Sequence, residues 1–302
     1  MLSKPLYLPA FKIIGVNTFR KAVIPAAGLG TRLLPITKEL PKEMLPIFTN
    51  ASNGRVCLKP ILQAVFEQLY DVGFREFCFV VGRGKRAIED HFTPDNNFIC
   101  YLDNKHKAEL AGGLREFYER VENSKIMFVN QPEPRGFGCA VLRTKPFVAG
   151  DFLVHAGDTY IMSPGQDHLM RLMRTHSELK ADLTFVVQEV EDPRQYGVIE
   201  AKEVGKDLFK VKKAIEKPEK PSSKLAIMPI YLFKPKIFDS LEKIGPGVDG
   251  ELQLTDGIQH MIRRGLKVYA IKLRPEELKL DMGTPETCWE ALNLSYEHLL
   301  GR

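Results

Sequence analysis

Between residues 21 and 190 the chain alternates short apolar runs with amphipathic helical stretches, and few architectures accommodate that order. "KAVIPA", "EFCFVVG", "KIMFVNQ", "DFLVHAGD" and "ADLTFVVQEV" read as strands. Among them, "KPILQAVFEQLYDVG" places Ile61, Leu62, Val65, Phe66, Leu69 and Val72 on one helical stripe, with Pro60 near its start and Gly73 near its end. "KRAIEDHF", "GCAVLRTKPF" and "DHLMRLMRTHSEL" read as further helices. Continuous apolar strands belong to sheets covered on both faces. The expected class is therefore α/β: a Rossmann-like three-layer α/β/α arrangement on a mostly parallel central mixed sheet. "YGVIEA", "LFKVKKAIEKP" and "KLAIMPIYLF" then follow one another through short loops, which predicts a smaller antiparallel part. Helices return in "KPKIFDSLEKIG", "LTDGIQHMIRRG" and "PETCWEALNLSYEHLL". The polar segment "EKPEKPSSK" is too short for an interdomain linker and reads as a loop within a single domain over 1–302.

Composition narrows the ligand classes. With 44% hydrophobic and 27% charged residues, the chain has enough apolar surface for a large core. A net charge of +5 without long like-charged blocks favours a small anionic ligand over nucleic acid. "GRGKRAIEDHF" is basic, but Arg83, Lys85 and Arg86 read as a solvated first helical turn offset by Glu89 and Asp90. The aromatic residues are scattered and form no stacking platform. No apolar run approaches the ~18 residues of a membrane span. The first 20 residues, "MLSKPLYLPAFKIIGVNTFR", read as an arm before the first strand and not as a secretion signal. Five cysteines, an odd number with no C-x-x-C pair, fit the reduced thiols of a cytoplasmic protein and argue against zinc.

The first strand runs into "AAGLGTRLLPITKELPKEMLPIF". Gly28 and Gly30 match the start of a dinucleotide-binding turn, but Leu33 occupies the third glycine position and Pro35 ends any helix after about one turn. Two glycines still allow backbone N–H groups to converge on phosphate oxygens. Arg32 can fork onto two such oxygens, and Lys42 is a compact point charge. Pro35, Pro41 and Pro46 stiffen the loop. Taken alone, these features also describe a surface turn with solvated charges. In open parallel sheets ligands bind beyond the carboxyl ends of the strands. The glycine loop, "NQPEPRGFG" and the "GD" of "DFLVHAGD" are all expected on that one rim.

The whole string closely resembles the signature of sugar-1-phosphate nucleotidylyltransferases, in particular the bacterial-type UTP–glucose-1-phosphate uridylyltransferases. The resemblance continues in order through "KPILQ", "VVGRGKRAIEDHF", "NQPEPRGFGCAV", "GD", "YGVIE", "IEKP", "GELQLTDGI" and "LDMGTPE", covering roughly residues 20–295. It implies transfer of UMP from UTP to glucose 1-phosphate, giving UDP-glucose and pyrophosphate with Mg²⁺ as cofactor. It also implies a mainly nucleotide-binding half over 21–160, a mainly sugar-binding half over 161–302, and a cytoplasmic homodimer or homotetramer with no nucleic-acid or membrane partner. Another base or sugar within the family, such as dTTP, and a non-catalytic nucleotide-sugar-binding regulator are the alternatives.

The resemblance assigns roles to residues. Ala26, Ala27, Gly28, Gly30, Thr31 and Arg32 would wrap the triphosphate, with Lys42 on phosphate and Glu43 towards uracil. Gln131 and Gly136 match the base-reading stretch; a glutamine amide offers both a donor and an acceptor to uracil. Asp158 and Asp281 would bind Mg²⁺, although a turn aspartate like Asp158 is also a common cap. Gly197, Glu216 and Lys217 match the sugar end, with Lys217 neutralising the sugar phosphate. Arg32, Lys42 and Lys217 are thus the catalytic candidates. One departure stands out: "Pro229-Ile230-Tyr231" replaces the usual "GRY", which leaves sugar preference open.

Overall fold

The structure, a computed structural model, describes residues 19–51 and 53–301. The N-terminal arm up to position 18 lies outside the described residues. The strands, in chain order, are β1 (Lys21–Ala26), β2 (Pro46–Asn50), β3 (Val56–Pro60), β4 (Glu76–Val81), β5 (Lys125–Asn130), β6 (Phe152–His155), β7 (Thr159–Met162), β8 (Leu183–Glu189), β9 (Gly197–Gly205), β10 (Leu208–Glu216), β11 (Leu225–Phe233), β12 (Val268–Lys272) and β13 (Leu278–Asp281). The helices are α1 (Ile61–Asp71), α2 (Arg86–His91), α3 (Asn96–Asn104), α4 (Ala108–Glu122), α5 (Phe137–Arg143), α6 (Asp167–Glu178), α7 (Lys236–Leu241), α8 (Leu254–Arg263) and α9 (Pro285–Leu299).

Nine strands form one sheet in the order β5-β4-β1-β6-β11-β8-β12-β10-β9. The four strands at the β5 side are mutually parallel. β11 enters antiparallel between β6 and β8, β12 lies parallel to β8, and β10 and β9 close the far edge antiparallel. The parallel half and the antiparallel part are thus continuous in one sheet. Side chains alternate across it as the period of two requires. Ala22, Ile24 and Ala26 of β1 face one core with Phe66 of α1, Phe117 of α4 and Leu169 of α6. Val23 faces the other core, with Val141 of α5, Phe238 of α7 and Ile258 of α8. Both faces are covered, which explains the continuous apolar strands.

Helix α4 escaped the sequence reading because Gly112 and Gly113 interrupt the apolar stripe of Ala111, Phe117 and Val121, and α3 because it is short and buries only Ile99 and Leu102. Two short ribbons, β2–β3 and β7–β13, stand beside the main sheet. The proline-rich stretch forms single 3₁₀ turns at Thr31–Leu33, Ile36–Lys38 and Lys42–Met44 in place of a long helix. Its apolar residues anchor it: Leu33 and Leu45 pack with Ile61 of α1, with Leu280 and Met282 from β13 and just beyond it, and with Ala291 of α9. The Thr37 hydroxyl donates to the Gly30 carbonyl at 2.7 Å, closing the loop on itself.

Candidate active site

The loops that follow β1, β5 and β6 meet at one rim, as the strand order requires. With residues from β9, β10, β11 and β13 they enclose a cavity of about 550 Å³. Backbone contacts fix its floor: Gly157 N–H donates to the Pro25 carbonyl at 3.1 Å, and Ala156 N–H to the Pro229 carbonyl at 3.0 Å. Pro229 is tolerated in a central strand because β11 is irregular there, with its register against β8 shifting between Ile227 and Tyr231.

Ribbon β7–β13 brings two aspartates together from far apart in sequence. Asp281 pairs in register with Thr159, the neighbour of Asp158, and Met282 N–H donates to the Asp158 carbonyl at 3.0 Å. Both carboxylates line the cavity. Lys42 donates a hydrogen bond to the Asp158 carboxylate. Burial alone would push the Asp158 carboxyl up, but the Lys42 charge and hydrogen bond outweigh it and hold it below the usual carboxylate range. Burial and the Asp158 charge push the Asp281 carboxyl up. The Asp158 charge chiefly raises the Lys42 ammonium against burial, keeping it protonated.

Glu43 is 1% exposed and lines the same cavity. Its carboxylate accepts a hydrogen bond at 2.7 Å from Lys85, itself only 6% exposed. This corrects the reading of Lys85 as solvated. The turn before α2 folds inward at Lys85, whereas Arg86 stays in water and faces Asp90 at 3.9 Å. Burial pushes the Glu43 carboxyl up, and Lys85 opposes that shift.

The opposite wall carries Tyr196, Gly197, Glu216 and Thr255. Thr255 donates to Glu216 at 2.6 Å. A Cβ on Gly197 would lie 2.8 Å from the Thr255 hydroxyl and 3.1 Å from Glu216, so only glycine fits between them. The two walls are joined at Gly136, where φ is +98° and a Cβ would lie 2.8 Å from the Leu252 carbonyl oxygen. Around it, Leu252 N–H donates to Arg135 carbonyl and Gly138 N–H to Leu252 carbonyl, both at 2.9 Å. Gln131 is buried and donates from Nε2 to the Gly136 carbonyl at 3.2 Å.

Ala27, Gly28, Gly30, Thr31, Arg32, Lys42, Glu43, Gln131, Gly136, Asp158, Gly197, Glu216 and Asp281 therefore share one cavity. Two candidates stand apart. Ala26 is buried in the sheet core. Lys217 lies beyond the cavity lining, 37% exposed and paired with Asp249 at 3.0 Å. Lys38 faces Glu39 at 3.7 Å on the outside of the loop. Thr255, Tyr196 and Lys279 also line the cavity and were not singled out from sequence. For Lys279 a signal existed: in "LKLD" the alternation places it on the same strand face as Asp281.

Residues 21–297 match the nucleotidyl transferase family model. The UTP–glucose-1-phosphate uridylyltransferase of Pseudomonas aeruginosa is 33% identical over 286 residues, covering 93% of this chain and 97% of the relative. The Streptococcus pneumoniae protein of the same name is 40% identical over 250 residues, covering 79% of this chain and 78% of the relative. Among solved structures, a UDP-glucose pyrophosphorylase complexed with UDP-glucose superposes with a TM-score of 0.79 at 29% identity, covering 93% of this chain and 99% of that one. The UTP-bound UGPase from Acinetobacter baumannii gives 0.78 at 27% identity, covering 93% and 98%. A nine-stranded α/β sheet with a glycine-and-lysine rim, matched along almost its whole length, places the chain in the nucleotidyl transferase family.

Proposed function

We propose that the protein is a UTP–glucose-1-phosphate uridylyltransferase that converts UTP and glucose 1-phosphate into UDP-glucose and pyrophosphate. The observation that carries this reading is one cavity with Arg32, Lys42 and two aspartates at one end and Glu216 beside Gly197 at the other. In this reading the Gly28–Arg32 backbone and the Arg32 and Lys42 side chains hold the triphosphate of UTP. Gln131, Gly136 and Glu43 hold the uracil. Glu216 accepts hydrogen bonds from sugar hydroxyls, with Gly197 giving them room, and Lys217 closes on the sugar phosphate from the rim. An oxygen of the sugar phosphate attacks the α-phosphorus of UTP in line, and the bond to the β-phosphate oxygen breaks, releasing pyrophosphate. No protein nucleophile takes part; neutralising and aligning two anions supplies the catalysis.

Asp158 and Asp281 suit Mg²⁺. Adjacent carboxylates without a third acidic, histidine or cysteine ligand among the described residues match an ion that keeps waters and shares substrate phosphates. Bound there, Mg²⁺ would supply positive charge to the phosphates. We assign residues 21–160 mainly to the nucleotide and 161–302 mainly to the sugar, in a single domain of a cytoplasmic homo-oligomer. Among the described residues, no helix is long and apolar enough to cross a membrane.

The test is pyrophosphate release from a panel of nucleoside triphosphates and sugar 1-phosphates, with Mg²⁺ and with a chelator. UTP with glucose 1-phosphate is expected to be fastest, and chelation to abolish turnover. A preference for dTTP would overturn the base assignment. Light scattering checks the oligomeric state.

A further inference from the structure

Three cationic side chains line the cavity among the described residues: Arg32, Lys42 and Lys279. Lys42 pairs with Asp158 and Arg32 belongs to the glycine loop, so both stand at the triphosphate end. Lys279 comes from the other side of the chemistry. Strand β13 pairs it with Ile161 and turns it, with Asp281, towards the cavity. Its side chain is 16% exposed, and its ammonium lies 4.0 Å from the nearer Asp281 oxygen and 5.1 Å from the centre of the Tyr196 ring. The first distance exceeds hydrogen-bonding range. Among the described residues the ammonium makes no hydrogen bond, leaving three N–H donors inside a confined site. The tyrosine face holds the cation in place without using any of those donors.

We infer that Lys279 binds the phosphate of the sugar 1-phosphate, presenting it to the nucleotide from inside the cavity. This rests on the proposed function and deepens it. Tyr196 adjoins Gly197, which packs against Glu216 on the sugar wall, and Asp281 adjoins Asp158 at the triphosphate end. A group between them occupies the place where the attacking phosphate has to sit. Lys217 lies at the exposed rim and Lys279 at the interior, so the two cations approach that phosphate from different sides.

The test is steady-state kinetics of Lys279→Met and Lys279→Arg with each substrate varied in turn, after circular dichroism confirms the fold. Lys279→Met is expected to raise the KM for glucose 1-phosphate by about 10- to 100-fold, the range of a charge-assisted hydrogen bond, with the KM for UTP changed less than about threefold. Lys279→Arg is expected to recover part of the loss. An unchanged KM for glucose 1-phosphate overturns the inference. So does a loss confined to kcat or to Mg²⁺ dependence, which would mean that Lys279 serves only Asp281. A wild-type protein inactive with every sugar 1-phosphate would remove the proposed function itself, and with it this inference.

Discussion

The two ends of the cavity hold their charges differently. At the glycine-loop end the ion pairs are withdrawn from water and adjoin one another: Lys85 with Glu43 is buried, and Lys42 with Asp158 is half-buried. At the rim beyond the proposed sugar wall, Lys217 and Asp249 meet in water, 37% and 65% exposed. Buried charges are costly unless paired, so each partner at the first end depends on the other. An exposed pair contributes little and exchanges easily for another anion. The glycine-loop end is accordingly held by charges that need each other, whereas the exposed pair at the rim of the proposed sugar wall can give up its partner at little cost.

The sharpest way to break this contrast is Lys85→Met. It leaves the Glu43 carboxylate buried and unpaired, with an expected loss of ~3–5 kcal/mol in denaturant unfolding. Adding Glu43→Gln should restore much of that, and a single-mutant loss below ~1 kcal/mol would show that the buried pair is not interdependent. Asp158→Asn keeps the shape but removes the charge facing Lys42 and Asp281. Turnover is expected to fall ~10²–10³-fold, the scale for removing one charge-stabilising group, with the fold retained by circular dichroism.

The sugar wall is probed by pH. Burial raises the Glu216 carboxyl above its ordinary 4.5, opposed by the Thr255 hydrogen bond and the Lys217 charge. The group therefore takes up a proton at a higher pH than an exposed glutamate would, and its neutral form is a poorer acceptor for sugar hydroxyls. As pH falls through that raised value, the KM for glucose 1-phosphate should rise, by up to about tenfold per unit below the inflection. Glu216→Gln should show no such limb; if it keeps one, another group is titrating. The smallest effect is expected for Asp249→Ala, which removes the exposed partner of Lys217. Its stability should stay within ~1 kcal/mol of the parent, and a larger loss would contradict the low worth of this exposed pair.

Much of the fold was legible because strand and helix periods are local. The stripe of α1, the apolar run of β4 and the helices after β11 lie where the pattern puts them. The pattern was blind where an element is short or interrupted: α4 with its paired glycines, and the ribbons β2–β3 and β7–β13. In the cavity, the motif residues from Ala27 to Asp281, Lys217 excepted, could be named in advance because they stand in the order of a recognisable family signature. Lys85 was misread because nothing within its own turn shows that Glu43, 42 positions earlier, lies opposite it.

By itself, the sequence determined the α/β alternation, the replacement of a phosphate-binding helix by a stiff proline loop, and the kinds of charge available to a ligand. These follow from neighbours along the chain: proline geometry, glycine freedom and side-chain period. Only the tertiary structure decided which charges are partners. The β7–β13 ribbon sets Asp281 beside Asp158, the inward fold before α2 buries Lys85 against Glu43, and the strand face of β13 aims Lys279 into the cavity while Lys217 stays at the rim. Electrostatic pairing acts over a few ångströms of space, and those distances exist only once the sheet has assembled.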